Sequence, residues 1–298
     1  KTMAKFVHGL TNKIELRDFN NKHAALPWYD YTSDHKQEYI LRLQDDRPRN
    51  IVPGDDQVAC LVAGVDTQDD GFYYTIFAVG YAQLSGGIPT LDYWLVREGF
   101  VLSFFDLEFV LWGNVYFDVA GNVYPVQMTL QDSAGHRTSE VYTFCRGRAG
   151  IAPTRGERTM SQRFSPTNLE FYPGTKKKIP GGLILYRVNT TFYKNNLAQK
   201  LQINPADPGA LHLYNGDNNG VNVLDDYALQ MIAEAQDDNG VWHQIGNRAN
   251  HYWDCTVLAL VAADLLRVES WSRPEKVSED KPQKQKPKPK PLPRGDRW

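Results

Sequence analysis

The chain has 298 residues, with 42% apolar and 23% charged residues and a net charge of −2, which is the profile of a globular protein long enough to bury a core. No run approaches the roughly 20 apolar residues of a membrane span, and the opening KTMAKFVHGL lacks a signal-peptide hydrophobic stretch. Three cysteines without zinc-like spacing exclude a disulfide scaffold and a zinc finger, and point to a reducing, cytosolic setting. The charge is uneven. Arg273 to Trp298 holds nine Lys/Arg against four Asp/Glu, so the remaining body is acidic. Such a body binds nucleic acid poorly on its own, because neutralised phosphates supply most of that affinity.

In chain order, residues 1–53 read as a linking or approach segment, with scattered aromatics (Trp28, Tyr29, Tyr31) and a helix expected around His35 to Gln44. The Pro/Gly punctuation IVPGDD closes it. VACLVAGVD then has the run of apolar and small residues expected of a buried central strand. TQDDG is a hairpin turn, FYYTIFAVGYA a second strand, and LDYWLV a third that ends at Arg97. FFDLEFVLWG reads as helix, VYPVQMTLQ as a fourth strand running into DSAGH, and SEVYTFCR as a short helix. Arg155 to Pro180 is weakly patterned and carries the basic cluster Lys176, Lys177 and Lys178. GGLILYRVN is a strand, and TTFYKNNLAQKLQ, LDDYALQMIAEAQ and HYWDCTVLALVAADLL are helices. Strands followed by strands alternating with helices predict an α/β fold, a mixed sheet flanked by helices over residues 54–270. The Pro- and Lys-rich stretch over 271–298 is expected to be a disordered tail, serving either as a solubilising extension or as an arm for DNA or a partner.

Three acids stand apart. Asp66 closes the first strand, and counting back by two gives Gly64, Val62, Cys60 and Val58, a face of small and apolar residues. Asp132 closes the fourth strand behind Leu130, Met128 and Val126. Asp254 opens the last helix on the stripe of Leu258, Val261 and Leu265. A carboxylate continuing an apolar face needs a cation, a set of hydrogen bonds or a proton. An all-oxygen set suits Mg2+ or Mn2+ rather than zinc, and two such ions can drive phosphodiester hydrolysis. A single acid at a strand end is ordinarily a cap or turn residue, so the pattern by itself leaves both readings open.

The residues around these acids resemble the nuclease domain of phage terminase large subunits of the GpA type. ACLVAGVDTQDD is similar to that family's first acidic strand, LQDSAGHRTSEVYTFCR to its second acidic motif, and NHYWDCTVLALVAADLL to its final one. PGALHLYN, with His212, and YALQMIAEAQ, with Glu234, fit its Pro-Gly-x-x-His and Leu-x-x-Glu segments, and ELRDFNNKHAALPWYD its junction with the ATPase domain. The match runs from about Ile14 to Leu266. Two departures are Ala134 where a glycine is usual, and a basic-Gly pair placed at Arg155-Gly156. The resemblance implies an RNase H-like fold and a two-metal DNA endonuclease that cuts concatemeric viral DNA during packaging. Asp66 would bridge two Mg2+ or Mn2+ ions, and Asp132 and Asp254 would each hold one.

The resemblance also implies double-stranded DNA, a small terminase subunit and a portal as partners, in the host cell cytoplasm. The chain holds no GxxxxGK[ST] phosphate loop, so the ATPase is expected elsewhere in the full-length polypeptide. Asp70 is a candidate further ligand, although a polar turn through Asp69 and Asp70 explains it equally. His136, Arg137, Lys176, Lys177, Lys178 and Lys194 are candidate DNA contacts, with solvated loop charges as the plainer reading of the lysine run. Another RNase H-like nuclease of resolvase or transposase type, or a catalytically silent docking module, would carry the same fold.

Overall fold

The structure, a computed structural model, describes residues 36–54 and 56–274. An eight-stranded mixed sheet runs through it, built from β1 (Val58–Thr67), β2 (Phe72–Gly80), β3 (Tyr93–Val101), β4 (Val126–Asp132), β5 (Ile151–Glu157), β6 (Phe164–Phe171), β7 (Lys178–Asn189) and β8 (Leu211–His212). Their order is β6-β7-β5-β4-β1-β2-β3-β8. The strands β1, β4, β5 and β7 are parallel neighbours, β2 and β3 form an antiparallel meander on β1, and β6 returns antiparallel along β7. Three strands, a helix and a fourth strand are the order read from the sequence, and the α/β class is as expected.

Around the sheet lie α1 (Gln37–Leu41), α2 (Phe104–Glu108) with a π-helical turn over Phe109–Gly113, α3 (Thr138–Cys145), α4 (Thr190–Lys200), α5 (Asp225–Met231) and α6 (His251–Leu265). Both faces of β1 are covered, which is why its sequence shows no polar alternation. Cys60 and Val62 join Phe77, Leu95 and Leu130 beneath α4, α5 and α6. Leu61, Ala63 and Val65 join Ile76 and Val96 beneath α2 and α3, which contribute Leu107, Val141 and Phe144. The helix α6 is buried from Cys255 to Ala263 without a polar face, as a helix crossing the centre of a layer must be.

Three stretches differ from the sequence reading. Of the approach segment, residues 36–53 bury Ile40, Leu43 and Val52 completely. The weakly patterned region holds the end of β5, all of β6 and the start of β7. The strand β6 lies at the sheet edge and alternates only between exposed and half-buried positions, so it has no apolar period to read. The helix expected through LDDYALQMIAEAQ stops at Met231, and Glu234–Gln236 turns into a hairpin with Trp242–Gln244. Trp242 secures that hairpin by packing 5.3 Å from Trp253 and donating its indole N–H to Asn195 at 2.8 Å. The tail expected over 271–298 lies outside the described residues beyond residue 274. Among the described residues no helix is long and apolar enough to cross a membrane.

Candidate active site

Asp66 and Asp132 reach the same place because β1 and β4 are parallel and in register. Their last pairs, Gly64 with Leu130 and Val65 with Gln131, leave the two acids next to each other at the carboxyl ends of the strands. Ligands of open α/β sheets gather at that edge. The chain after Asp132 turns sharply, with Gly135 at φ +97°, and the Ala134 amide donates to Asp132 Oδ2 at 3.2 Å. Thr67 Oγ1 donates to the Asp132 carbonyl at 2.7 Å and ties the two strand ends together.

Gly64 brings the third acid in. A β-carbon there would fall well inside contact distance of the Cys255 carbonyl oxygen and 2.9 Å from the Ala259 nitrogen. The bare backbone therefore lets α6 lie directly on β1, and the first turn of that helix sets Asp254 over the ends of β1 and β4. Asp66 lies at the bottom, 7% exposed, while Asp132 and Asp254 are half-buried.

Basic and amide groups offset this charge. His251 Nδ1 lies 2.8 Å from Asp66 Oδ2, and the Gln68 amide donates to the same oxygen at 2.7 Å. The His251 ring stacks on Tyr73 at 4.4 Å, and Tyr73 is the β2 partner of Asp66. Lys194, in the first turns of α4, holds both oxygens of Glu234 at 2.6 Å and stands 3.4 Å from Asp254 Oδ1. The Asn250 amide bridges the same acids, at 2.7 Å from Glu234 Oε1 and 3.1 Å from Asp254 Oδ2.

The compensation is incomplete. Burial and then the charge of Asp66 push the Asp132 carboxyl up to about 7. Burial also lifts Asp254, to about 6, with Lys194 working against the rise and Glu234 and Asp66 adding to it. The hydrogen bond to Asp66 holds His251 above its ordinary value. Burial disfavours the Lys194 ammonium, but Asp254 and Glu234 outweigh it and raise the group overall.

The other expected residues are distributed differently. Asp70 is exposed in the β1–β2 turn, close enough for its charge to act on His251 and Tyr73. His136 is exposed at the rim, 3.2 Å from Asp69. Arg137 lies over the Phe72 ring at 4.5 Å and donates to the Gln68 carbonyl and Glu140, so its guanidinium braces the turn after β1. Lys176, Lys177 and Lys178 are exposed where β6 turns into β7. The level of Asp132 is met by Thr154 and Tyr186, far along β7 from Lys178, so the lysine run sits toward the opposite end of the parallel strands. His212 stacks on Trp94 in the β3–β8 pair, away from the acids.

His251 and Asn250 were not anticipated from sequence, although His251 precedes Asp254 by one helical turn, a spacing that puts both on one face. Glu234 was marked only by the resemblance; its pairing with Lys194 and Asn250 depends on the hairpin that follows α5.

The family model for the terminase large subunit gpA endonuclease domain matches residues 2–275. The chain belongs to this family. No curated protein and no solved structure matches it. For this endonuclease domain the question is then whether its acids suit a divalent cation. Among the described residues no three His, Cys, Asp or Glu side chains already stand close enough together to hold one. Asp66 is engaged by His251 and Gln68, and Asp254 by Lys194 and Asn250. The donor chemistry nevertheless fits: the side chains offer carboxylate oxygens, Asp132 and Asp254 are held above the ordinary carboxylate range, and a hard divalent cation would relieve the repulsion among them.

Proposed function

We propose that this endonuclease domain is Mg2+- or Mn2+-dependent and cuts concatemeric viral DNA as packaging begins and ends, with Asp66, Asp132 and Asp254 as the metal ligands. What supports this reading is the convergence of three carboxylates from β1, β4 and α6 at one sheet edge, where burial and mutual repulsion hold two of them above the ordinary carboxylate range. Bound there, the ions would supply the Lewis acidity that phosphodiester hydrolysis requires.

The chain's own groups set the geometry. His251 and Gln68 fix the orientation of the Asp66 carboxylate, and Asn250 fixes that of Asp254. His136, exposed at the rim, is placed to meet a DNA backbone, and Lys194 brings a cation into the cluster itself. Asp70 lies near enough to add negative charge to the same ion site. In this reading the fold is RNase H-like, and the small terminase subunit, the portal and the ATPase domain deliver double-stranded DNA in the host cytoplasm. An acidic body fits a nuclease that cuts weakly until DNA is delivered to it.

The test is plasmid cleavage at limiting Mn2+. We expect nicking and linearisation that EDTA stops, and a rate that falls as the pH drops from 8 to 6. The sign follows from the raised Asp132 and Asp254 carboxyls, which take up protons on passing through about 7 and about 6 and then compete with the metal. Cleavage in EDTA, or none with Mn2+ at any pH, contradicts the proposal.

A further inference from the structure

Lys194 occupies an unusual place. Its side chain is 15% exposed, it holds both oxygens of a nearly inaccessible Glu234 at 2.6 Å, and it stands 3.4 Å from the half-exposed Asp254. One ammonium therefore serves two carboxylates, and it lies closer to the one that does not belong to the expected metal set. Glu234 is 3% exposed, and the Asn250 amide orients it against Asp254. The hairpin that carries Glu234 is held separately by Trp242, through Trp253 and Asn195.

We propose that Glu234 is a positioning residue that draws Lys194 away from Asp254, so that Asp254 stays available to a divalent cation. This inference rests on the metal-dependent reading above. Lys194 and a metal ion are rivals for Asp254, since both neutralise the same oxygens. With Glu234 charged, the ammonium has a buried anion of its own and only grazes Asp254. In Glu234→Gln, Lys194 loses that anchor and closes on Asp254, the other carboxylate it faces. The four-carbon stem of lysine allows so short a shift. The pair thus holds countercharge at the centre without blocking it, with Lys194 kept on Glu234.

The test measures Mn2+ binding by electron paramagnetic resonance or calorimetry, without DNA. Glu234→Gln should weaken Mn2+ binding by about 10-fold and Lys194→Met should tighten it by about 10-fold, within the usual span of coupling between neighbouring sites. Lys194→Met leaves Glu234 buried with the Asn250 amide but without a countercharge, which can unfold the domain. The double variant Lys194→Met/Glu234→Gln removes both charges together, and should bind Mn2+ at least as tightly as the unsubstituted chain. Equal affinities throughout, or a double variant as weak as Glu234→Gln, overturn the proposal while leaving the metal site intact. Failure of the unsubstituted chain to bind Mn2+ overturns the metal reading itself, and this proposal with it.

Discussion

Asp66→Asn, Asp132→Asn and Asp254→Asn should each slow DNA cleavage by a factor of about 10³ or more, equivalent to roughly 4 kcal/mol of lost transition-state stabilisation. Their effect on stability should have the opposite sign. Asp66 and Asp254 are among the charges that raise the Asp132 carboxyl, so neutralising either one relieves repulsion in the metal-free protein. Asparagine at position 66 keeps an oxygen for the bonds that His251 and Gln68 now make. Thermal unfolding without metal should therefore occur at the same or a higher temperature than in the unsubstituted chain. His136→Ala, at an 89% exposed side chain, should retain a rate within a few-fold. If the aspartate variants lost activity and melting temperature together, the acids would be structural groups. Single-turnover cleavage beside thermal denaturation separates the two outcomes.

The second large effect is expected at a residue without a side chain. Gly64→Ala places a methyl group against the Cys255 carbonyl and 2.9 Å from the Ala259 nitrogen, and both atoms belong to the backbone of α6. Neither can rotate away as a flexible side chain would, so the helix must lift from β1. Overpacking of this kind costs about 1–3 kcal/mol and sometimes more, which lowers the melting temperature by about 2–4 °C per kcal/mol in a domain of this size. The same movement carries Asp254 away from Asp66 and Asp132. A displacement of about 1 Å at a reacting centre can cost on the order of 10² in rate. Gly64→Ala should then lose both stability and activity, unlike the aspartate variants, and Mn2+ affinity should fall with them. An alanine variant with unchanged melting and rate would mean that α6 is not seated by Gly64.

The contrast between these two predictions shows what the sequence makes legible. Strand period put Asp66 and Asp132 at the ends of apolar faces, behind Gly64 and Leu130, but that β1 and β4 end side by side and in register comes from the fold. Asp254 was placed on a stripe with Leu258, Val261 and Leu265, yet α6 is buried on every side from Cys255 to Ala263. Its location follows from standing in the first turn of the helix, above the strand ends. The weight carried by Gly64 was not legible, since a glycine in an apolar run gives no sign of which backbone approaches it. The surroundings of Glu234 were hidden for a different reason. Helical periodicity ran on past Met231, and only the packing of Trp242 on Trp253 shows why the chain turns there. The strand β6 was missed because an edge strand that is half-exposed on both faces leaves no period. Lys176 to Lys178 drew attention as a charge run, but register along β7 sets them toward the other end of the sheet from the acids.

The most direct test of the metal centre is anomalous diffraction from crystals of the domain soaked in Mn2+. The expected result is manganese density bounded by the carboxylates of Asp66, Asp132 and Asp254, with oxygens drawn in to about 2.1–2.2 Å and Lys194 still resting on Glu234. Crystals that take up no manganese there at saturating concentration, with His251 and Lys194 still holding Asp66 and Asp254 as they do now, would contradict it.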